Sequence, residues 1–467
     1  MAARWRPIRP GATRAVPAAL AALTALAALT ALAGLAGAVP GPAHAAPGRP
    51  AAVARLELYA TSPVLVRAGA PVRVPAEAVC ATVSGTFCAA EVELGLEGPG
   101  SAVRWVRAGA RAAFDVSGPA RRTLSTSGPG ASGGVLRFRL RAVAGSRVVA
   151  SPPTGSAQVY VTDDMPSVTI PEIPFGEVRA PAAVLSLPWG TGPDRAGLAV
   201  GDQAPALGPP SFDVDAAGRV FLLDTLQQRL AVFDRGRLAR SADLDVPPRA
   251  DVAVRVSGVA ALLWSRPDGT VMAGRVGRDG VARRPVAIGQ GIAAQVRAAG
   301  DRAFAQVLPA DAWEEVTAAG GADATAPPPG GSWSTGEPEG DGRELLRVVD
   351  PDGHRVRLGT VEEGSVTDAV ELTSAQNLGE IALAEPDGDG GYWVVLHVWR
   401  EDPAADQYEA LDVRDGRVLT AFAAAAQQFA LASPFSIFRI GGDGRLYQLM
   451  SDPAGVRIVA YDLGGTA

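Results

Sequence analysis

The feature that most constrains this chain is a recurrence. From Pro210 to Asp234 it reads PSFDVDAAGRVFLLDTLQQRLAVFD, with an apolar–polar alternation, a turn marked by Gly, and two further alternating runs. A period of two puts successive side chains on opposite faces, so each run reads as a strand. The same order of runs returns in degenerate form, punctuated by Asp-Gly pairs at 268–269, 279–280, 352–353, 415–416 and 443–444. Asp-Gly is turn chemistry, because Gly takes positive φ at no steric cost. Four short strands at roughly 40-residue spacing are the mark of β-propeller blades. Copies opening at PSFDVDAAG, DVAVRVSG, IAAQVRAAGD, LGEIALAEPDGDG and PFSIFRIGGDG predict five blades. Six is the alternative, because the gap between the third and fourth copies is about twice the usual spacing. The last copy holds three strands, and AAVLSLPWG at 182–190 can supply its fourth. That strand would close a ring over 182–467 and remove the exposed edges of an open sheet.

The first copy resembles an NHL repeat. Gly218 precedes its second strand, Asp224 ends that strand, and Arg229 and Phe233 follow in the third. Where the family usually carries Asn, this chain has Gln227, and the other copies lack the Asp and Arg. The resemblance implies a propeller whose members bind proteins, RNA or ligands, with a minority of enzymes.

Ahead of the repeats, Arg4, Arg6, Arg9 and Arg14 precede a long Ala/Leu run and the small-residue site Ala43-His44-Ala45. That is the grammar of a secretory signal peptide over 1–45, so the chain is expected to be secreted or extracytoplasmic, with an uncleaved anchor as the alternative. Residues 52–164 alternate in about seven short runs, VLRFRLR at 135–141 among them, and predict an immunoglobulin- or fibronectin-like β-sandwich. The outward row Arg137, Arg139 and Arg141 reads as a solvated face. A Pro-rich stretch, 165–181, reads as a linker. Cys80 and Cys88 are the only cysteines, and in an exported chain the pair is expected to form a local disulfide. Their spacing is not C-x-x-C and no His is near, which argues against a redox or metal pair.

Charge and composition exclude several chemistries. The formal net charge is −6, and loss of four Arg with the leader makes it −10. No basic stripe of a nucleic-acid binder is present. There is no Lys, which removes Schiff-base chemistry and lysine-based phosphate sites. Beyond the leader there are two His. His354 follows Asp352-Gly353 and reads as an exposed turn residue, and His397 reads as packing on a face shared with Trp393, Val395 and Trp399. EPDGDGG at 385–391 has carboxylates at a spacing calcium could use, but a hairpin turn is required there. GASGG at 130–134 lacks the strand–turn–helix of a nucleophile elbow, and GQGIAA at 289–294 lacks the helix of a dinucleotide site.

Function is therefore expected on loops. An acid-, Gly- and Pro-rich insertion at 310–342 in the third copy and a loop at 399–408 in the fourth are both expected to join strands two and three. They would share one end of the ring with the blade-to-blade connections. Trp313, Trp333, Trp399 and Tyr408 are the candidate aromatic anchors, with Arg400 as a fork-shaped donor. The expectation is a non-catalytic binding or scaffolding module for an extracellular protein or glycan, without nucleic acid, stable membrane insertion or an obligatory cofactor. The alternative is a metal-dependent, lactonase-like hydrolase using the channel, with calcium as the possible ion. Asn377, the only asparagine, counts against it.

Overall fold

A computed structural model describes residues 64–70 and 158–462 with side chains, apart from 202–204, 309–312, 317–335, 340–341, 351–352, 388–389, 427 and 431–436. Most of 53–157 is described as strand backbone. The expected leader, Trp333, most of the 310–342 insertion, and the side chains of Cys80, Cys88 and the 137–141 arginine row lie outside the described residues. Among the described residues the only helical turn is a 3-10 turn at Thr225–Gln227. Among these residues no helix is long and apolar enough to cross a membrane.

The repeats fold into six blades, which corrects the count of five. Blade I holds Ser211–Val214, Val220–Asp224, Arg229–Asp234 and Arg237–Asp243, and blade II Asp251–Val254, Ala260–Ser265, Thr270–Val276 and Ala282–Gln290. Blade III holds Ile292–Ala299, Arg302–Leu308 and Ala312–Glu315. Blade IV holds Glu337–Pro338, Glu344–Val349, Arg355–Glu362 and Ser365–Thr373. Blade V holds Asn377–Pro386, Gly391–Arg400, Ala405–Arg414 and Arg417–Ala424. Blade VI holds Phe438–Ile440, Leu446–Asp452 and Gly455–Tyr461, completed by Ala182–Pro188. The stretch read as one third copy is thus two blades, with the insertion between them rather than between strands two and three of one blade.

Both faces of a blade are buried between neighbours, so its strands read as near-continuous apolar runs whose alternation sorts side chains between two seams. In blade I, Phe212, Leu222, Ala231 and Phe233 pack toward blade VI, while Phe221, Leu223, Leu230 and Val232 pack toward blade II. The glycine of every Asp-Gly turn has positive φ, from +66° at Gly416 to +80° at Gly269. At four of the five its N–H donates back to the residue three before it, as Gly269 does to Arg266 at 3.0 Å. A Cβ would strain each of these positions, which is why Gly recurs there.

The Pro-rich stretch is an outer fastening for three blades. Ser167–Thr169 pairs in parallel with Glu371–Thr373 as a fifth strand of blade IV, and Val178 bridges Ala423 of blade V. Ala182–Pro188 then pairs antiparallel with Gly455–Ala460, closing the ring. The strands before it form a three-stranded and a six-stranded sheet. From the latter, Leu65 and Tyr160, joined by Met165, pack on Leu346, Val361 and Ala369 of blade IV. Leu65 Cδ2 lies 3.1 Å from where a Cβ at Gly359 would stand, so Gly359 leaves the room that Leu65 uses.

Candidate functional site

The innermost strand of each blade has an unpaired edge, and buried N–H groups on such an edge need acceptors. Side chains of the preceding blade supply them. Ser211 Oγ accepts from Val252 N–H at 3.3 Å, Asp213 Oδ2 from Val254 N–H at 2.6 Å, and Asp251 Oδ2 from Val296 N–H at 2.7 Å. Three guanidinium groups then neutralise the acids lining this inner ring. Arg439 of blade VI reaches Asp213 at 4.0 Å and Asp251 at 3.3 Å. Arg297 of blade III bridges Glu337 of blade IV and Glu385 of blade V, and Arg347 reaches Glu337 at 2.9 Å. Burial pushes Asp213 up to about 6 even though Arg439 pulls the other way. The inner ring is a set of latches whose cations are arginines. Among the described residues no group of three or more His, Cys, Asp or Glu is placed to hold a metal.

The NHL-like residues are latches too. Asp224 Oδ2 accepts from Gly197 N–H (3.2 Å) and Gln227 Nε2 (2.8 Å), and it pairs with Arg229 at 3.4 Å. Arg229 also donates to the carbonyls of Pro193 and Arg195. Together they tie the segment after the closing strand to blade I. The alternative calcium loop is likewise engaged: Asp387 accepts from Gly391 N–H at 2.8 Å and pairs with Arg414 at 2.8 Å. His354 is half-buried rather than exposed, with Nδ1 3.0 Å from the carbonyl of Gln376.

The predicted anchors part company. Trp313 is a buried strand residue of blade III opposite Gln306, not a loop anchor. Trp399, Arg400 and Tyr408 belong to blade V. The 399–408 loop is in fact a long hairpin that pairs Trp399 with Asp406 and turns only at Glu401–Ala404. Tyr408 is buried and donates to Glu380 at 3.4 Å, its ring 5.0 Å from Phe438 of blade VI. Trp399 is half-buried and Arg400 exposed, its guanidinium 4.6 Å from the Phe175 ring.

Sequence reasoning took His397 for packing, and the structure adds two acids to it. Its Nδ1 lies 3.4 Å from Glu380 and its Nε2 3.4 Å from the exposed Asp406. A Cβ at Gly379 would stand 2.6 Å from Nδ1, so the ring is seated directly on that backbone. Burial pulls the imidazole down, but Glu380 and then Asp406 more than offset it and raise its pKa. Burial raises Glu380, and His397 outweighs that to leave it low. The group is an acid–His–acid bridge without a Ser, Cys or Lys nucleophile among the residues that contact it. Two aromatics that the sequence did not single out sit on the blade connections at the same end. Trp189 follows the closing strand, and Phe429, 40% exposed, precedes blade VI, with ring centroids 6.3 Å apart. Val200, 68% exposed, lies on the connection into blade I. Their only sequence signal was a large apolar residue inside a connecting segment. Compared with known proteins, the chain matches no protein-family model and no curated protein.

Proposed function

We propose that this is an exported, non-catalytic binding or scaffolding protein. In this reading an immunoglobulin-like sandwich stapled by Cys80–Cys88 precedes an NHL-type propeller, and the blade-connection end of blades V and VI meets an extracellular protein or glycan. One observation carries it: the acids that a hydrolase would use along the inner ring are held by Arg439, Arg297 and backbone N–H groups, whereas Phe429, Val200 and Arg400 stand exposed at that end. Exposed aromatic and arginine side chains on a rigid scaffold are the usual anchors of recognition. The test compares retention of an envelope glycan and exported-protein fraction by the wild type and by the Arg400→Ala/Phe429→Ala double variant. Retention lost in the variant at unchanged thermal midpoint is the expected result. Calcium- or zinc-dependent turnover of lactones or esters by the purified chain would replace this reading with the hydrolase.

A further inference from the structure

Blade II carries two arginines that the fold does not use. Arg255 directly follows the innermost strand and is 9% exposed, and its Nε is fully buried without a hydrogen-bond partner among the described residues. Arg275 stands in the third strand, in register with Ala261, which in turn pairs with Ala253. Ala253, Ala261 and Ala273 face blade III, so the alternation puts Arg255 and Arg275 on that same face. Among the described residues neither guanidinium makes a hydrogen bond or an ion pair.

Their surroundings explain why no acid answers them. The acids that act on Arg255 are Asp301 and Glu315 of blade III. Asp301 accepts from Ser257 N–H at 2.8 Å, and Glu315 is bound to Arg302 at 2.5 Å. Meanwhile Arg275 lies directly across from Arg283, which pairs with Asp279 at 2.8 Å. Like charges opposite one another on adjacent strands weaken a sheet, and a buried unpaired cation costs more. Burial, and next Arg275, draw the Arg255 pKa below its ordinary value. The wider charge agrees. Blades I and II (211–290) carry twelve Arg against nine Asp, a formal +3, while 337–424, covering blades IV and V, carries seven Arg against twenty acids, −13.

We propose that Arg255 and Arg275 form a binding site for an oxyanionic group, a phosphate or a carboxylate, at the junction of blades II and III. The guanidinium fork matches either anion, and a bound oxyanion would supply the acceptors both side chains lack. In blade II this site lies at the end opposite the blade connections, since Arg255 opens the turn between strands one and two and Arg275 precedes the turn between three and four. It does not depend on the aromatic end binding anything.

The test is thermal unfolding of the full chain at fixed pH and ionic strength, with chloride replaced stepwise by inorganic phosphate or by acetate. The midpoint is expected to rise saturably with one of them. Preference for phosphate assigns a phosphoryl ligand, and preference for acetate a carboxylate. Arg275→Gln should weaken the response by roughly tenfold or more, as loss of a charged hydrogen bond implies. Arg275→Lys, which keeps the charge but not the fork, should weaken it as well, and Arg284→Gln should leave it intact. In chloride alone Arg275→Gln should melt above the wild type, because it removes a repulsion; a purely structural arginine would do the reverse. Equal midpoints in all three salts, or a response that survives Arg275→Gln, would overturn the site. Should Arg255→Gln fail to fold, the Arg275 variants still decide.

Discussion

The seam between blades I and II and the seam between blades III and IV join similar sheets by different means. The first is apolar over most of its depth, with Ser211 and Asp213 bonding blade II only at the inner strands: Phe221, Leu223, Leu230 and Val232 meet Val252, Leu262, Trp264 and Met272. In the second, the matching face of blade IV is covered by Leu65, Tyr160 and Met165 from outside the ring, and blades III and IV are linked at their inner ends through Glu337. Apolar burial is non-directional and tolerates small shifts, whereas a buried ion pair contributes only while every partner is present. One ring therefore holds a seam that any volume-conserving change should spare and another that a single charge should undo.

The largest expected effect tests that contrast. Glu337→Gln leaves Arg297 and Arg347 without a buried acid that is 3% exposed, and should cost about 3–5 kcal/mol in a urea titration. Leu262→Met in the apolar seam should cost under about 1.5 kcal/mol. A Glu337 variant that costs no more than Leu262→Met would erase the distinction. Next comes Leu65→Ala, which empties the space over Gly359 and should cost about 3 kcal/mol. Because Leu65 ties the six-stranded sheet to blade IV, calorimetry should show the transition broadening or dividing. An unchanged, sharp transition would mean that blade IV does not need its external cover.

The most gradual effect concerns pH. Burial pushes Glu409, between blades IV and V, from 4.5 up to about 7, and Asp213 from 3.8 up to about 6. Between pH 4.5 and 7 the folded chain then binds more protons than the unfolded chain, so stability falls as pH rises through that window. His397, also raised, adds stability that is complete below about pH 6.5 and is lost as pH climbs past its folded value. The acids that are lowered, Glu380 and Asp443, work below their ordinary values, where acid removes their contribution. The melting midpoint should peak near pH ~5 and decline toward pH 8, with Glu409 contributing on the order of 3 kcal/mol at most. Glu409→Gln should flatten that decline, and an unaltered profile would remove Glu409 as its source.

What the sequence made legible follows from how local each signal was. Blade I could be read strand by strand, because alternation and turn residues both lie within a few positions of one another. Blade IV could not: its innermost strand, Glu337–Pro338, is too short for alternation to register, and it follows the long insertion. The closing strand at 182–188 was legible because the last copy was one strand short. The latches were not. Arg297 meets Glu337 across 40 residues and Arg439 meets Asp251 across 188, with no pattern in between to announce either. His397 was placed on its correct strand, yet Glu380 and Asp406 reach it only through strand register and a bulge near Gly379. Trp313 misled because an aromatic beside Glu314 and Glu315 at the mouth of an insertion resembles an exposed loop tip, whereas it stands inside a paired strand.

The closing strand has one more consequence, for the order in which the protein can be made. Its sixth blade unites a strand begun at Ala182 with one that finishes at Tyr461. As the ribosome delivers the chain, blades I to V can pair internally while Ala182–Pro188 waits for its partner, an exposed edge open to pairing with other chains. Ring closure is then the last and longest-range step of folding, and the slowest class of contact to form. Truncation just before Gly455 should leave a fragment that retains most of its strands but stays prone to aggregate, a vulnerability set by topology rather than by any single contact.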